Sequence, residues 1–443
     1  MRKKTSHLIF TVFSILFSLI TIVFIAYFIF KVNLFFIFTI IIILTPIWLP
    51  YILFLLTYDM WIWFVREKFK YKTGRTTLRI ILPKEVYKSP EAMESVFNHI
   101  HNPGRPENYM QSYLDGKHPL VSSFEIVSIG GDVRFYVNLP TEKTKNAFET
   151  QMYALYPGIE IIEEDIDYTA EIKSDSDEWD LMSFHITKRN DQVLPIKTYI
   201  DFKHDQLPDE ETKVEPMATL IEHLGRTKPH ERLWIQILAV AHSDKNFRGG
   251  WLRKKKTWES DAVNKINEIM KRNEDLTARD EDTELRPVLT SSERDTVSAI
   301  ERNVSKYAYE VAIRAMYITE KGKFDGEMIG PMLRSFSQYD MIGRNTIGVS
   351  WRTDFDYNFI SDFFGTRREA MKKDELEYYK LRAYLSKNFK NGADAMKVMS
   401  IEELATIYHL PGSSVVTPAL SRIDSTKGDA PDNLPVGDYK TVN

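Results

Sequence analysis

The chain has 443 residues, a formal charge of -4 and no cysteine. That charge gives no global basic field for nucleic acid, and the lack of thiols excludes disulfides, thiolate metal sites and cysteine nucleophiles. The length suffices for two or three ordinary domains with real cores.

Two apolar runs, 8–30 and 34–58, open the chain and are separated by Lys31, Val32 and Asn33. Each exceeds the ~20 residues that a helix needs to cross a bilayer, so the pair predicts a transmembrane hairpin. A signal peptide fits poorly. Its apolar core is about 7 to 15 residues long and ends in small residues, whereas the first run ends Ala26-Tyr27-Phe28-Ile29-Phe30. Arg2, Lys3 and Lys4 precede the hairpin and Arg66, Lys68, Lys70, Lys72 and Arg75 follow it, which predicts that both termini and the large body are cytoplasmic at the cell membrane. Trp61 and Trp63 are expected at the headgroup level, and Arg66, Lys68 and Lys70 beside anionic lipid. Pro46 and Pro50 predict a kink in the second helix.

Residues 76–82 read as a strand stopped by Pro83, and Ser89-Pro90-Glu91 opens a helix with a cap, a first-position proline and an early acid. Two strands, 122–129 and 133–139, flank the turn Gly130-Gly131-Asp132, a helix over 141–156 ends at Pro157-Gly158, and 159–163 returns as a strand. The order βαββαβ is read again downstream, with strands at 196–202, 233–241, 308–319 and 345–352 and helices at 217–224 and 327–339. The expected fold is therefore α+β. The N-terminal two-helix transmembrane hairpin with its basic segment takes 1–75, and two tandem ferredoxin-like units take 76–170 and 171–355. A short helical part over 356–410 and an extended tail over 411–443 complete it.

The second unit carries an insertion over 242–303. It opens with Arg248, Trp251, Arg253, Lys254, Lys255, Lys256 and Trp258, cations interleaved with aromatic rings. Such a pattern suits an anionic lipid surface or nucleic acid, and equally a solvated loop with a packed tryptophan. Catalytic patterns are absent from the sequence. There is no G-x-x-x-x-G-K-[ST] loop and no G-x-S-x-G elbow. The pairs His99/His101 and His223/His230 lack metal-ligand spacing. The sequence predicts a non-enzyme with no cofactor.

The stretch Ile401-Glu402-Glu403-Leu404-Ala405-Thr406-Ile407-Tyr408-His409-Leu410-Pro411, then Val416-Thr417-Pro418-Ala419-Leu420 and Ala430-Pro431-Asp432-Asn433-Leu434-Pro435, resembles the segment ahead of the motor domain in membrane-anchored ATPases related to type IV secretion coupling proteins and conjugation ATPases. Phe124-Glu125-Ile126-Val127-Ser128 and Glu149-Thr150-Gln151-Met152-Tyr153 are similar to that family's N-terminal region. No position matches the motor's own motifs. The resemblance implies a non-catalytic membrane-anchored platform of a translocation machine, self-assembling as a homo-oligomer or docking a separately encoded ATPase. Leu404, Tyr408, His409, Pro411, Pro418, Leu420, Leu434 and Pro435 would form the docking tail. The alternative is a membrane-tethered nucleic-acid-binding protein using 247–258.

Overall fold

A computed structural model describes residues 34–83, 88–174, 177–202, 215–243, 257–270, 289–353, 365–383, 396–412 and 422–423. The chain divides into two compact units, the first of which comprises residues up to 69 together with 113–116. Its main element is α1, Leu34–Thr73, a helix of 40 residues containing Pro46 and Pro50, whose residues from Lys70 onward belong to the second unit. Ile62 and Val65 of α1 are buried, and the segment 113–116 packs against the helix at Trp61 and Val65. The Trp61 indole N–H donates to the Tyr113 carbonyl at 2.7 Å. Gly116, with φ +70°, lies so close that a Cβ there would sit 2.2 Å from the Val65 carbonyl oxygen. Only glycine permits that approach.

Among the described residues no helix is long and apolar enough to cross a membrane. This corrects the expected transmembrane hairpin and the membrane placement of the chain. The first expected span, 8–30, lies outside the described residues. The second has no helix end at residue 58: it is the front of α1, about 60 Å long at 1.5 Å per residue, which continues through Arg66, Glu67, Lys68, Lys70 and Lys72. The expectation rested on the length of an apolar run, which does not say where its helix stops.

The second unit is built on one ten-stranded sheet. In chain order it comprises β1 (Thr76–Pro83), α2 (Pro90–Ile100), α3 (Tyr109–Tyr113, whose last residue belongs to the first unit), β2 (Ser122–Ile129), β3 (Asp132–Leu139), α4 (Glu142–Leu155), β4 (Glu160–Glu163) and β5 (Trp179–Lys188). There follow α5 (Ala218–Leu224), β6 (Glu231–Ala241), α6 (Trp258–Ile269), α7 (Ser291–Val304), β7 (Ala308–Glu320), α8 (Ile329–Arg334), β8 (Ile347–Arg352), α9 (Thr366–Lys380), β9 (Lys397–Ser400), α10 (Ile401–Ile407) and β10 (Arg422–Ile423). The strand path is β10-β1-β3-β2-β6-β7-β5-β8, with β4 also on β1 and β9 also on β7. Every pairing is antiparallel except the short β1–β10 match.

The expected pair of tandem ferredoxin-like units is thereby corrected to a single sheet. Its two sides are fused by the β2–β6 ladder, which runs from Ser122↔Ala239 to Ile129↔Arg232. Outward from that ladder the strands read β2, β3, β1, β4 on one side and β6, β7, β5, β8 on the other. A hairpin partner is visible in a local turn, but a pairing across more than a hundred residues has no local signature. The expected strand over 196–202 is not one. It is a buried loop whose amides turn to side chains, Ile196 N–H to Glu403 at 2.9 Å and Tyr199 N–H to Thr406 at 3.0 Å. The strand at that place in the order is β5, whose polar Ser183, His185 and Thr187 alternate with apolar neighbours.

One sheet face carries the main core, where Phe124, Phe135, Ile235 and Ile313 pack with α2, α4, α5 and α10. α10 is the deepest helix: all seven of its residues are buried. Ser400 caps it, and the Glu403 carboxylate returns to the Ser400 N–H at 3.1 Å. The helical part expected over 356–410 thus includes α9, a strand and a core helix, and the segment expected as an extended tail begins with Pro411 and Gly412 buried.

Candidate functional site

The opposite sheet face carries a polar row. Strand register places Arg79 beside Tyr136, Tyr136 beside Glu125, Glu125 beside Gln236, Gln236 beside Arg314, Arg314 beside His185 and His185 beside Trp351. The row therefore crosses seven strands at right angles. Because residues two apart share a face, its members occupy the same pleat level. Glu125, Gln236, Arg314 and His185 are all buried, and burying charge is costly unless it is paired and hydrogen-bonded.

The partners come from α9 and from the segment 167–171. Arg382, just beyond α9, meets Glu125 with two nitrogens, Nε to Oε1 at 3.1 Å and Nη2 to Oε2 at 3.2 Å, and its Nη1 contacts Asp167. The two parallel bonds give the pair a fixed orientation. Glu125 also accepts from Ser123 Oγ at 2.6 Å, Tyr168 Oη at 2.7 Å and Gln236 Nε2 at 3.0 Å. Arg314 donates to Gln236 Oε1 at 3.2 Å and to the Ala383 carbonyl at 3.1 Å, and its Nε lies 3.4 Å from Glu375. His185 Nε2 sits 2.9 Å from the same carboxylate, with its ring stacked on Trp351. Arg382 takes φ 48°, a left-handed conformation that costs an ordinary side chain energy and persists here under these bonds.

The electrostatics follow from this arrangement. Burial alone would raise the Glu125 carboxyl, but the Arg382 charge and the bonds from Arg382, Ser123 and Tyr168 outweigh it and hold Glu125 below its ordinary value of 4.5. Asp167 is lowered in the same way, with burial opposed by Arg382 and by Thr169. On Arg382 burial acts downward, yet Glu125, Tyr168 and Asp167 raise it well above its ordinary value. Burial and the Glu125 charge push the Tyr168 and Tyr379 hydroxyls upward. Each lone pair of Glu125 that a reacting group would need already has a donor, so the arrangement is built for holding elements together.

The residues singled out in the sequence are dispersed. Trp61 and Trp63 are exposed on α1, Lys68 is exposed, and Arg66 and Lys70 are partly buried. Arg248, Trp251, Arg253, Lys254, Lys255 and Lys256 lie outside the described residues, as do Pro418, Leu420, Leu434 and Pro435. Trp258 is buried at the start of α6, next to the capping box of Thr257 and Ser260. Leu404, Tyr408 and His409 are in the core, and Pro411 is buried. The first part of the expected docking tail, 404–411, is thus buried, and next to it Glu403 pairs with Lys188 at 2.8 Å, both fully enclosed, while His409 contacts Glu215. Of the histidine pairs, His101 faces the Ala308 carbonyl and His223 the Met328 carbonyl. No group of three or more metal-ligating side chains occurs among the described residues.

The polar row escaped sequence reasoning, although each member leaves a mark: Phe124-Glu125-Ile126, Phe184-His185-Ile186, Ile235-Gln236-Ile237 and Ile313-Arg314-Ala315 each place one polar residue inside an apolar strand. No curated protein and no solved structure matches the chain. A family model described as a domain of unknown function (DUF8128) matches residues 65–340, a span that holds β1 to β7 and all four of these triplets but ends before β8, α9 and α10. The chain belongs to that family of domains of unknown function.

Proposed function

We propose that the chain is a non-catalytic assembly protein whose copies associate through α1. The observation that carries this reading is the apolar surface of that helix. Ile42, Ile43, Leu53, Phe54, Trp61 and Phe64 are all exposed, Ile42 by 64% and Phe54 by 61%. Soluble chains rarely leave a contiguous apolar patch of more than a few hundred Å² uncovered, and larger patches mark interaction sites. Between Ile42 and Phe54 the described side chains include no charge that would direct a partner of opposite sign, so the surface complements a second copy of itself. A two-fold pairing is the commonest closed solution. The polar row supports the same reading, because its hydrogen bonds from Gln236 to Glu125 and from Arg314 to Gln236 tie neighbouring strands together and stiffen the body.

Light scattering on the full chain and on the double variant Leu53→Lys, Phe54→Lys tests it. The parent is expected as a dimer or larger, and the variant as a folded monomer. A monomeric parent, or one that associates with lipid vesicles and never with a second copy, would contradict the proposal.

A further inference from the structure

The cover of the polar row is unlike the rest of the fold. Of the fifteen residues of α9, three are buried, Glu375, Leu376 and Tyr379, and only two of these have large apolar bodies. Leu376 and Tyr379 join a buried apolar cluster with Val127, Trp234, Met316 and Ile318, and the rest of the attachment is polar. Lys372 pairs with Asp180 at 2.7 Å, Glu375 with His185 and Arg314, and Arg382 with Glu125 and Asp167. The Tyr379 carbonyl accepts from Gln236 and the Ala383 carbonyl from Arg314. The Tyr379 ring also lies tilted against Trp234, with centroids 5.2 Å apart, and its hydroxyl bonds that of Tyr168 at 2.9 Å. Side chains that stay charged and hydrogen-bonded on both sides of a contact can be resolvated when it parts, as apolar core residues cannot. The matched family span supplies the sheet half of every one of these contacts and none of the α9 half.

From this geometry we infer that α9 is a releasable strap: it closes over the Glu125–Gln236–Arg314–His185 row and opens as a unit while the sheet and α10 stay folded. The charged and titratable groups in the contact are Glu125, Asp167, Asp180, His185 and Arg314 on one side and Lys372, Glu375, Lys380 and Arg382 on the other. Opening exposes alternating acidic, amide and basic groups across four adjacent strands. Salt favours the open strap, because it screens the partly exposed Lys372–Asp180 pair and stabilises the charges that opening separates.

Hydrogen–deuterium exchange on the full chain tests this at low and high ionic strength. Between about 50 mM and about 1 M salt, the amides of 369–380 are expected to exchange about tenfold faster, while those of 401–407 and of β7 change less than about twofold. Leu376→Ala should raise α9 exchange further without moving the unfolding midpoint of the sheet. Coincident exchange of α9, α10 and β7 at both salt concentrations would overturn the strap, as would a Leu376→Ala effect that spreads equally to all three.

Discussion

α9 and α10 follow one another near the C-terminal end, both beyond the matched family span, and both carry charges into the body. They differ in how much apolar surface holds them. α10 buries every residue, and its charges are enclosed: Lys188 and Glu403 are fully covered, and Glu402 is bonded by Thr198 at 2.6 Å and paired with Lys306 at 2.9 Å. Burial lowers the Lys188 ammonium below its ordinary value, and Glu403 only partly restores it. α9 buries Leu376 and Tyr379 and otherwise relies on polar contacts with the sheet, buried ones at Glu375 and Arg382 and a partly exposed one at Lys372. At about 1.5–3 kcal/mol for each large apolar side chain taken from water, Leu404, Ile401, Ile407 and Tyr408 anchor α10 roughly twice as firmly. Charge in a core helix and charge under a cover helix look alike in sequence; apolar burial around them decides which element can move.

The largest effect should come from breaking the enclosed pair. Glu403→Ala leaves Lys188 buried without its partner and is expected to cost about 3–5 kcal/mol of global stability in chemical denaturation. Converting both, with Lys188→Met and Glu403→Gln, whose amide oxygen can still accept from the Ile196 or the Ser400 N–H group, should recover much of that loss. The next contrast is between matched leucines. Leu404→Ala should cost about 3–5 kcal/mol, as core truncations do, whereas Leu376→Ala should cost under about 2 kcal/mol globally, because the strap can part from the sheet without unfolding it.

Acid should separate the two helices in the same order. Glu125 and Asp167 are held below their ordinary values of 4.5 and 3.8, so the stability they contribute is complete above those values and is lost as pH falls through the lowered folded ones. Below about pH 4.5, α9 should lose hydrogen-exchange protection before the sheet unfolds, and Glu125→Gln should flatten that dependence. The smallest effect is at the surface. Lys372→Ala removes the partly exposed pair with Asp180 and is expected to cost no more than about 1 kcal/mol, a cost that shrinks further in high salt.

Local structure was the legible part of the fold. The hairpin around Gly130-Gly131 and the helix starts near Ser89-Pro90 and Thr141 lie in short-range residue patterns, where turn and helix-start chemistry act directly. The β2–β6 fusion was not legible, since Ser122 to Ile129 offers the same alternation whether the strand lies at an edge or in the middle of a sheet. Nor was the polar row, because Glu125, Gln236, Arg314 and His185 become a row only through register. The 401–411 stretch was conspicuous in sequence for a physical reason that did not show which way it faced: its apolar residues and its acids both point inward. The apolar run of α1 was equally conspicuous, and its length alone misled about where the helix ends.

Association through α1 is tested most directly by disulfide trapping, for which a chain without native cysteine is well suited. Full-length protein carrying the single substitution Leu53→Cys on α1, or Lys265→Cys on α6 as the reference, would be oxidised and its covalent dimer measured. Rapid, near-complete dimer formation by Leu53→Cys and little by Lys265→Cys is the expected result. Equal trapping at both positions, or none at Leu53, would contradict assembly through α1.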